Sequence, residues 1–315
     1  MKILTSFNLE LSKSQIDQIE SVSENVEVLI SNSEGEAIEL MPDIDVVFGD
    51  FTKDMFKNRA NLRWVQATSA GVDHLLNEDF VKSDIIMTSS KGIVGSHLAD
   101  HAMALLLSLS RGIYWAIRNP SWDQRKATTE MSWELQGKTM GIVGFGGTGQ
   151  QLALRASGFG MSVVAVDPEV HEHNTKVECW KMDKFDNLLS VSDVVVICAP
   201  LTPATEGMFD SKAFKKMKSH AVLINVTRGS IVNESALVEA LENGFIKGAG
   251  LDVVPQEPLP NNHVLWNLPN VIITPHSAGG SPHRLDRSVD LFCSNLKSLI
   301  ESKPLENVID KSKGY

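Results

Sequence analysis

The chain has 315 residues, 43% of them hydrophobic, with 29 Lys and Arg against 39 Asp and Glu, for a formal net charge of −10. That length predicts two domains, each large enough for its own core. The acidic balance argues against nucleic acid or an anionic membrane as partner, so an anionic ligand needs a local cationic contact.

Cys179, Cys198 and Cys293 are sparse, odd in number and without metal-like spacing, the pattern of a reducing cytoplasm. Cys198 lies in an apolar run and reads as inert core. The N-terminal apolar run is too short for a signal peptide, and no stretch is long enough to span a bilayer, so the expected localisation is cytoplasmic.

In chain order, apolar runs at 2–5, 26–30, 46–48, 62–67 and 85–88 are separated by polar, helix-compatible segments such as 13–22 and 53–58. That alternation predicts a small α/β domain with a mostly parallel sheet. The turn Ser69-Ala70-Gly71-Val72-Asp73 follows one of these strands directly, at the strand end where such sheets hold ligands. Ser96 is positioned to cap a long amphipathic helix through Leu98, Met103, Leu106 and Leu109 to about Ile117, and polar residues 119–134 follow. His97 and His101 stand one helical turn apart, but with no third ligand evident no metal is expected.

The next stretch organises the chain. A short apolar run at 140–143 leads into Gly144, Gly146 and Gly149, spaced G-x-G-x-x-G. Leu152, Ala153, Ala156 and Phe159 then recur at helical intervals, and a second apolar run at 163–166 stops on Asp167. A strand, a glycine turn, a helix and a strand ending in an acid form a dinucleotide-binding βαβ unit. The helix N-terminus offers N–H groups to a pyrophosphate. Asp167 suits both ribose hydroxyls of an adenosine and repels a 2′-phosphate, so NAD is expected over NADP. A Rossmann-like domain for another ligand, such as S-adenosylmethionine, shares this pattern. His171 and His173 read as a solvated loop near the adenosine.

Beyond Asp167 the alternation resumes, with strands at 194–198, 222–226, 248–251 and 271–273, a helix at 234–242 closed by Gly244, and a final amphipathic helix from Pro282 to about Glu301. Three side chains stand just past predicted strands: Arg228, Glu257 and His276. Arg offers a planar fork to a carboxylate, His passes a proton to or from an oxygen, and Glu holds one imidazole nitrogen. Together they form a set for hydride transfer to a 2-keto acid or from a 2-hydroxy acid.

The sequence resembles the D-isomer-specific 2-hydroxyacid dehydrogenase family along nearly all its length. The resemblance rests on SAGVD at 69–73, LADHAMALLLSLSR at 98–111 and LQGKTMGIVGFGGTG at 135–149. It continues in SDVVVICAPLTPAT at 192–205, the long run at 217–253, PQEP at 255–258 and TPHSAG at 274–279. It implies two Rossmann-like doubly wound domains, a flavodoxin-like substrate domain (1–97 with 283–315) and an NAD-binding Rossmann domain (98–282), with the active site in the cleft between them.

The same resemblance implies that Arg228, Glu257 and His276 are catalytic. It has the backbone amides of Ala70 and Gly71 join Arg228 in holding the substrate carboxylate. Gly144, Gly146, Gly147, Thr148, Gly149, Asp167, Ala199, Pro200, Thr205, Val226, Thr227 and Asp252 would line the cofactor, Asp252 near the nicotinamide carboxamide. A homodimer joined through the long helix after Ser96 is implied too.

Three features depart from the family pattern. Thr148 replaces a branched aliphatic residue in the glycine loop, and Asp100 stands where Glu is usual. The sequence stops at Tyr315 with no regulatory extension, which weighs against the long phosphoglycerate dehydrogenases. Two other activities share the architecture. A formate dehydrogenase carries Gln at the position of Glu257, which argues against it here. An NAD(H)-responsive binding module of the corepressor kind can keep all three residues and is separated by a turnover test.

Overall fold

The computed structural model describes residues 1–169 and 177–315, so His171 and His173 lie outside the described residues. The chain forms two compact units, Met1–Val94 with Ser281–Tyr315, and Gly95–Gly280. Among the described residues no helix is long and apolar enough to cross a membrane.

In the first unit, β1 (Lys2–Thr5), β2 (Glu27–Ile30), β3 (Val46–Phe48), β4 (Trp64–Gln66) and β5 (Ile86–Thr88) form a sheet ordered β2-β1-β3-β4-β5. Every pairing is parallel, which gives the flavodoxin-like order. The strands β3 and β4 are buried throughout, as parallel strands covered on both faces must be. On one face the helix Arg284–Ile300 inserts Phe292, whose ring stacks on Phe48 at 4.3 Å and on Trp64 at 4.9 Å. Burying such a side chain contributes about 1.5–3 kcal/mol. On the other face Phe51, Phe56 and Phe80 meet edge-on or tilted. The helix Lys13–Glu20 begins with a reciprocal cap in which Ser12 accepts from the Gln15 amide and the Gln15 side chain accepts from the Ser12 amide.

The second unit holds β6 (Thr139–Val143), β7 (Ser162–Val166), β8 (Glu178–Trp180), β9 (Val194–Ile197), β10 (Val222–Asn225), β11 (Gly248–Leu251) and β12 (Val271–Ile273), ordered β12-β11-β10-β9-β6-β7-β8. Again all pairings are parallel. The chain starts in the middle at β6, runs outward through β7 and β8, then returns to β9 on the other side. The point of reversal therefore lies between the carboxyl ends of β6 and β9, where doubly wound sheets bind their ligands. Both units are α/β with wholly parallel sheets, the fold class expected from the sequence.

Two local expectations need correction. The helix predicted to start at Ser96 and continue to about Ile117 runs from Gly95 to Ser110 and restarts at Ile113–Arg118. Gly112 interrupts it in the left-handed region at φ 65°, where a Cβ would come within 3.1 Å of Thr128. Residues 125–131, themselves a helix within the stretch read only as polar, pack beside this glycine. Ser96 does not cap; its hydroxyl accepts from Nη2 of Arg155 at 2.8 Å, and the same guanidinium pairs with Asp100 at 2.5 Å.

Candidate active site

The glycine turn after β6 fits a dinucleotide for reasons visible at each glycine. Gly144 has φ 92°, and a Cβ there would lie 2.5 Å from the backbone nitrogen of Ala199, at the reversal point. A Cβ on Gly149 would lie 2.4 Å from the carbonyl oxygen of Gly144, so helix and turn pack without room for a side chain. Gly146 is the opposite case: a Cβ would meet nothing within 4 Å, because the residue borders open space at the first turn of the helix Gly147–Gly158. That is the cradle a pyrophosphate needs, with Gly147 and Thr148 in the helical first turn.

Asp167 closes the unit. One carboxylate oxygen accepts from the Phe145 amide at 2.6 Å and the other from the Glu169 amide at 2.9 Å, so the acid is held against the glycine turn. Ala199 and Pro200 follow β9. Thr205 folds that loop back by donating its hydroxyl to the Pro200 carbonyl at 2.7 Å and accepting from the Thr202 amide at 2.8 Å. Burial pushes the Cys198 thiol beside this loop up to about 12, so it stays protonated and unreactive.

Arg228, Glu257 and His276 follow β10, β11 and β12, which are adjacent. The backbone ladder continues past the strands: Asp252 N–H donates to the Asn225 carbonyl, Thr274 N–H to that of Leu251, and His276 N–H to that of Asp252. Buried Asn225 shapes the turn after β10 by donating to the Arg228 carbonyl and accepting from the Thr227 amide, with Val226 buried beneath. Gly229 then seats against the backbone of Val254 and Pro255 so closely that a Cβ would lie 1.9 Å from the Val254 carbonyl carbon. The loops bearing Arg228 and Glu257 are thereby packed backbone to backbone. Arg228 donates Nη1 to the Thr227 carbonyl at 2.9 Å.

Glu257 and His276 meet directly, with Oε2 and Nδ1 at 2.6 Å. The second Glu257 oxygen accepts from the Val254 amide at 3.1 Å. A carboxylate only accepts, so Nδ1 carries the shared hydrogen and Nε2 is the ring nitrogen left for chemistry. The His276 backbone is in the left-handed region at φ 50°, a conformation that a non-glycine residue holds only when its surroundings impose it.

Those surroundings centre on Asp252. Its carboxylate is 1% exposed and accepts from the Thr274 hydroxyl at 2.6 Å and from the amides of Ser277 and Ala278 at 2.9 Å each. The loop carrying His276 wraps around this one acid. His101, from the helix Gly95–Ser110, reaches the same Thr274 hydroxyl with Nε2 at 2.8 Å. Sequence reasoning singled out neither Thr274 nor the clamp around Asp252, and weighed His101 only as a metal ligand. The sole signal available was that His101 recurs on the helix face one turn from His97.

In the first unit the turn expected to hold a carboxylate follows β4. The Ser69 hydroxyl donates to the Gly71 carbonyl at 2.8 Å, and the Ser90 amide donates to the Ser69 carbonyl at 3.0 Å. Arg284 donates Nη2 to the Thr68 carbonyl at 3.1 Å, fixing the start of the loop that contains Ala70 and Gly71.

The family model described as D-isomer specific 2-hydroxyacid dehydrogenase, NAD binding domain, matches residues 103–278. The chain belongs to this family. As a D-2-hydroxyacid dehydrogenase homologue it is 34% identical over 283 residues to the glyoxylate reductase of Thermococcus litoralis, covering 85% of this chain and 83% of that one. It is 32% identical over 265 residues to the glycerate dehydrogenase of Methylorubrum extorquens, covering 82% of each. Among solved structures, the NADPH-dependent glyoxylate/hydroxypyruvate reductase of Sinorhizobium meliloti, in complex with NADP and sulfate, superposes with a TM-score of 0.84 at 25% identity. That match covers 100% of this chain and 99% of the other. Membership makes the protein an oxidoreductase of the nicotinamide-dependent class.

Proposed function

We propose that the protein transfers a hydride reversibly between NAD(H) and a small 2-keto or 2-hydroxy acid of D configuration, with glyoxylate, hydroxypyruvate or a pyruvate-like acid as substrate. The observation that carries this reading is the Glu257–His276 hydrogen bond at 2.6 Å, which joins the loops after β11 and β12, β11 being the neighbour of the strand that presents Arg228. The nicotinamide supplies or accepts the hydride when bound. In the reducing direction Arg228 orients the substrate carboxylate through its planar fork, assisted by the amides of Ala70 and Gly71. His276 donates the Nε2 proton to the oxygen at C2, and Glu257 stabilises the ring while it is charged.

The residues that would hold the cofactor are Gly144, Gly146, Gly147, Thr148 and Gly149 at the pyrophosphate and Asp167 at the adenosine ribose. Ala199, Pro200, Thr205, Val226, Thr227 and Asp252 would border the remainder. NAD is favoured over NADP because Asp167 is acidic and no Arg or Lys stands at positions 168–170 to receive a 2′-phosphate. The Sinorhizobium relative takes NADPH, so the preference is a property to be measured on this chain. The proposal includes a cytoplasmic homodimer joined through the helix Gly95–Ser110, which analytical ultracentrifugation tests by mass.

The deciding experiment follows coenzyme absorbance with glyoxylate, hydroxypyruvate and pyruvate, each with NADH and with NADPH. Turnover with at least one acid, faster with NADH, is expected. NADH binding without turnover of any acid would instead assign the protein to the coenzyme-responsive binding modules.

A further inference from the structure

We infer that His101 is a positioning residue for His276, acting through Thr274 and Asp252. The inference rests on the proton-transfer role proposed for His276 and adds to it a residue on a different element. Its logic is one of donors and acceptors. Both oxygens of the buried Asp252 carboxylate face backbone N–H groups, of Ser277 and Ala278, which can only donate. The carboxylate is therefore the acceptor, and the Thr274 hydroxyl at 2.6 Å gives it its single proton. That leaves Thr274 Oγ1 only as an acceptor toward His101, so Nε2 of His101 carries a hydrogen and donates it across 2.8 Å.

The result is a chain of fixed polarity, from His101 to Thr274 to Asp252. Nε2 of His101 also lies 3.4 Å from Asp252 Oδ1, so the ring faces both members of the pair it orients. His276 stands between Thr274 and Ser277, two residues whose side chain or amide is bound to Asp252, and its own amide donates to the backbone carbonyls of Asp252 and Thr274. Any rotation of Thr274 would release one side of the loop that holds His276 at φ 50°. His101 hinders that rotation by donating to the same hydroxyl from beside the carboxylate, the three atoms lying 2.6, 2.8 and 3.4 Å apart. Its side chain is 22% exposed, on a helix whose neighbouring Ala102 and Leu105 are buried. The donor is thus delivered by a rigid element.

The test compares wild type with H101L, H101Q and T274V. It measures turnover of whichever 2-keto acid the wild type reduces, NADH affinity by fluorescence titration, and the ring nitrogen signals of His276 by NMR. H101L is expected to lower kcat about ten-fold, as losses of a supporting hydrogen bond do, with KM and NADH affinity nearly constant and the His276 signals moved. Glutamine can present an N–H donor at nearly the same reach, so H101Q is expected to recover both kcat and the signals. T274V should resemble H101L, and the H101L/T274V double variant should be no slower than either single one. Wild-type kcat in H101L, or an H101Q as slow as H101L, overturns the inference. If H101L fails to fold, T274V decides: wild-type kcat with unmoved His276 signals overturns it. If the wild type reduces no acid, the proposed activity fails on its own, and the NMR arm still decides this inference. Signals that move in H101L and return in H101Q support it, and signals unmoved in H101L sink it.

Discussion

His276 donates Nδ1–H to Glu257 across 2.6 Å, and Glu257 is itself anchored by the Val254 amide at 3.1 Å. The carboxylate therefore arrives at the imidazole already oriented, and Nε2 is the ring nitrogen left for chemistry. Replacing His276 with Ala should lower kcat by roughly 10²–10⁴, the range for loss of a positioned acid, with NADH affinity unchanged. Glu257→Gln keeps the shape but weakens the acceptor and should cost about 10- to 100-fold in kcat. Steady-state kinetics on both variants checks the assignment. A His276→Ala variant turning over at the wild-type rate would transfer the proton-donor role elsewhere.

Gly144 and Gly146 separate stability from binding. Gly144→Ala would force a Cβ to 2.5 Å from the Ala199 nitrogen at φ 92°, and should destabilise the unit by about 2–4 kcal/mol through strain and overlap. Gly146→Ala meets nothing within 4 Å, so thermal stability should stay close to wild type. In the proposed complex its added methyl group would stand where the pyrophosphate approaches, and NADH affinity should fall about ten-fold, roughly 1.4 kcal/mol. Melting curves and fluorescence titration on the two variants read the contrast. Equal loss of stability in both would remove the distinction.

Much of this was legible in the sequence, because the signals are local. The strand, glycine turn and helix at 139–158 lie within twenty residues, and Gly144 and Gly149 answer to steric demands of their neighbours. The helix Glu234–Glu242 was readable with Gly244 just past its end, and the structure adds Asn233 as its cap on the Ala236 amide. What escaped depends on residues far apart in the chain. The Asp252 clamp joins His101, Thr274, Ser277 and Ala278, and no periodicity links position 101 to position 274. The break at Gly112 was hidden by apolar residues that keep helical spacing on both sides of it, and the crowding that suits a glycine there comes from Thr128 on another segment. The strand β8 was missed as well: Glu178-Cys179-Trp180 is a short edge strand with no apolar run of its own.

Asp167 bears on coenzyme choice. Its two oxygens accept from the amides of Phe145 and Glu169, which places the carboxylate beside the glycine turn, where the proposed dinucleotide would bring its adenosine ribose. Asp167→Ser removes that charge while retaining a small acceptor. The ratio of kcat/KM with NADH to that with NADPH should fall by about ten-fold or more, mainly through weaker NADH use and partial relief of repulsion toward the 2′-phosphate. Kinetics with both coenzymes measures it, and an unchanged ratio would show that selectivity lies in other residues.

Asp193 ties the amino-terminal edge of the seven-stranded sheet together. Burial alone would raise its carboxyl, but the Thr139 amide, His220 and Lys218, at 2.8, 2.8 and 2.9 Å, outweigh burial and hold it at about 2, against an ordinary 3.8. At about 1.4 kcal/mol per pH unit, that depression contributes roughly 2 kcal/mol of stability. A carboxyl lowered by folding stabilises wherever it is ionised in both states, so the contribution is complete above about pH 4 and disappears as pH falls through about 2. Asp193→Asn should therefore be less stable than wild type by about 2 kcal/mol at neutral pH, with the difference narrowed to roughly half at about pH 3. Urea unfolding at the two pH values reads this directly. A difference of the same size at both would mean that the asparagine disturbs packing rather than removing a paired charge.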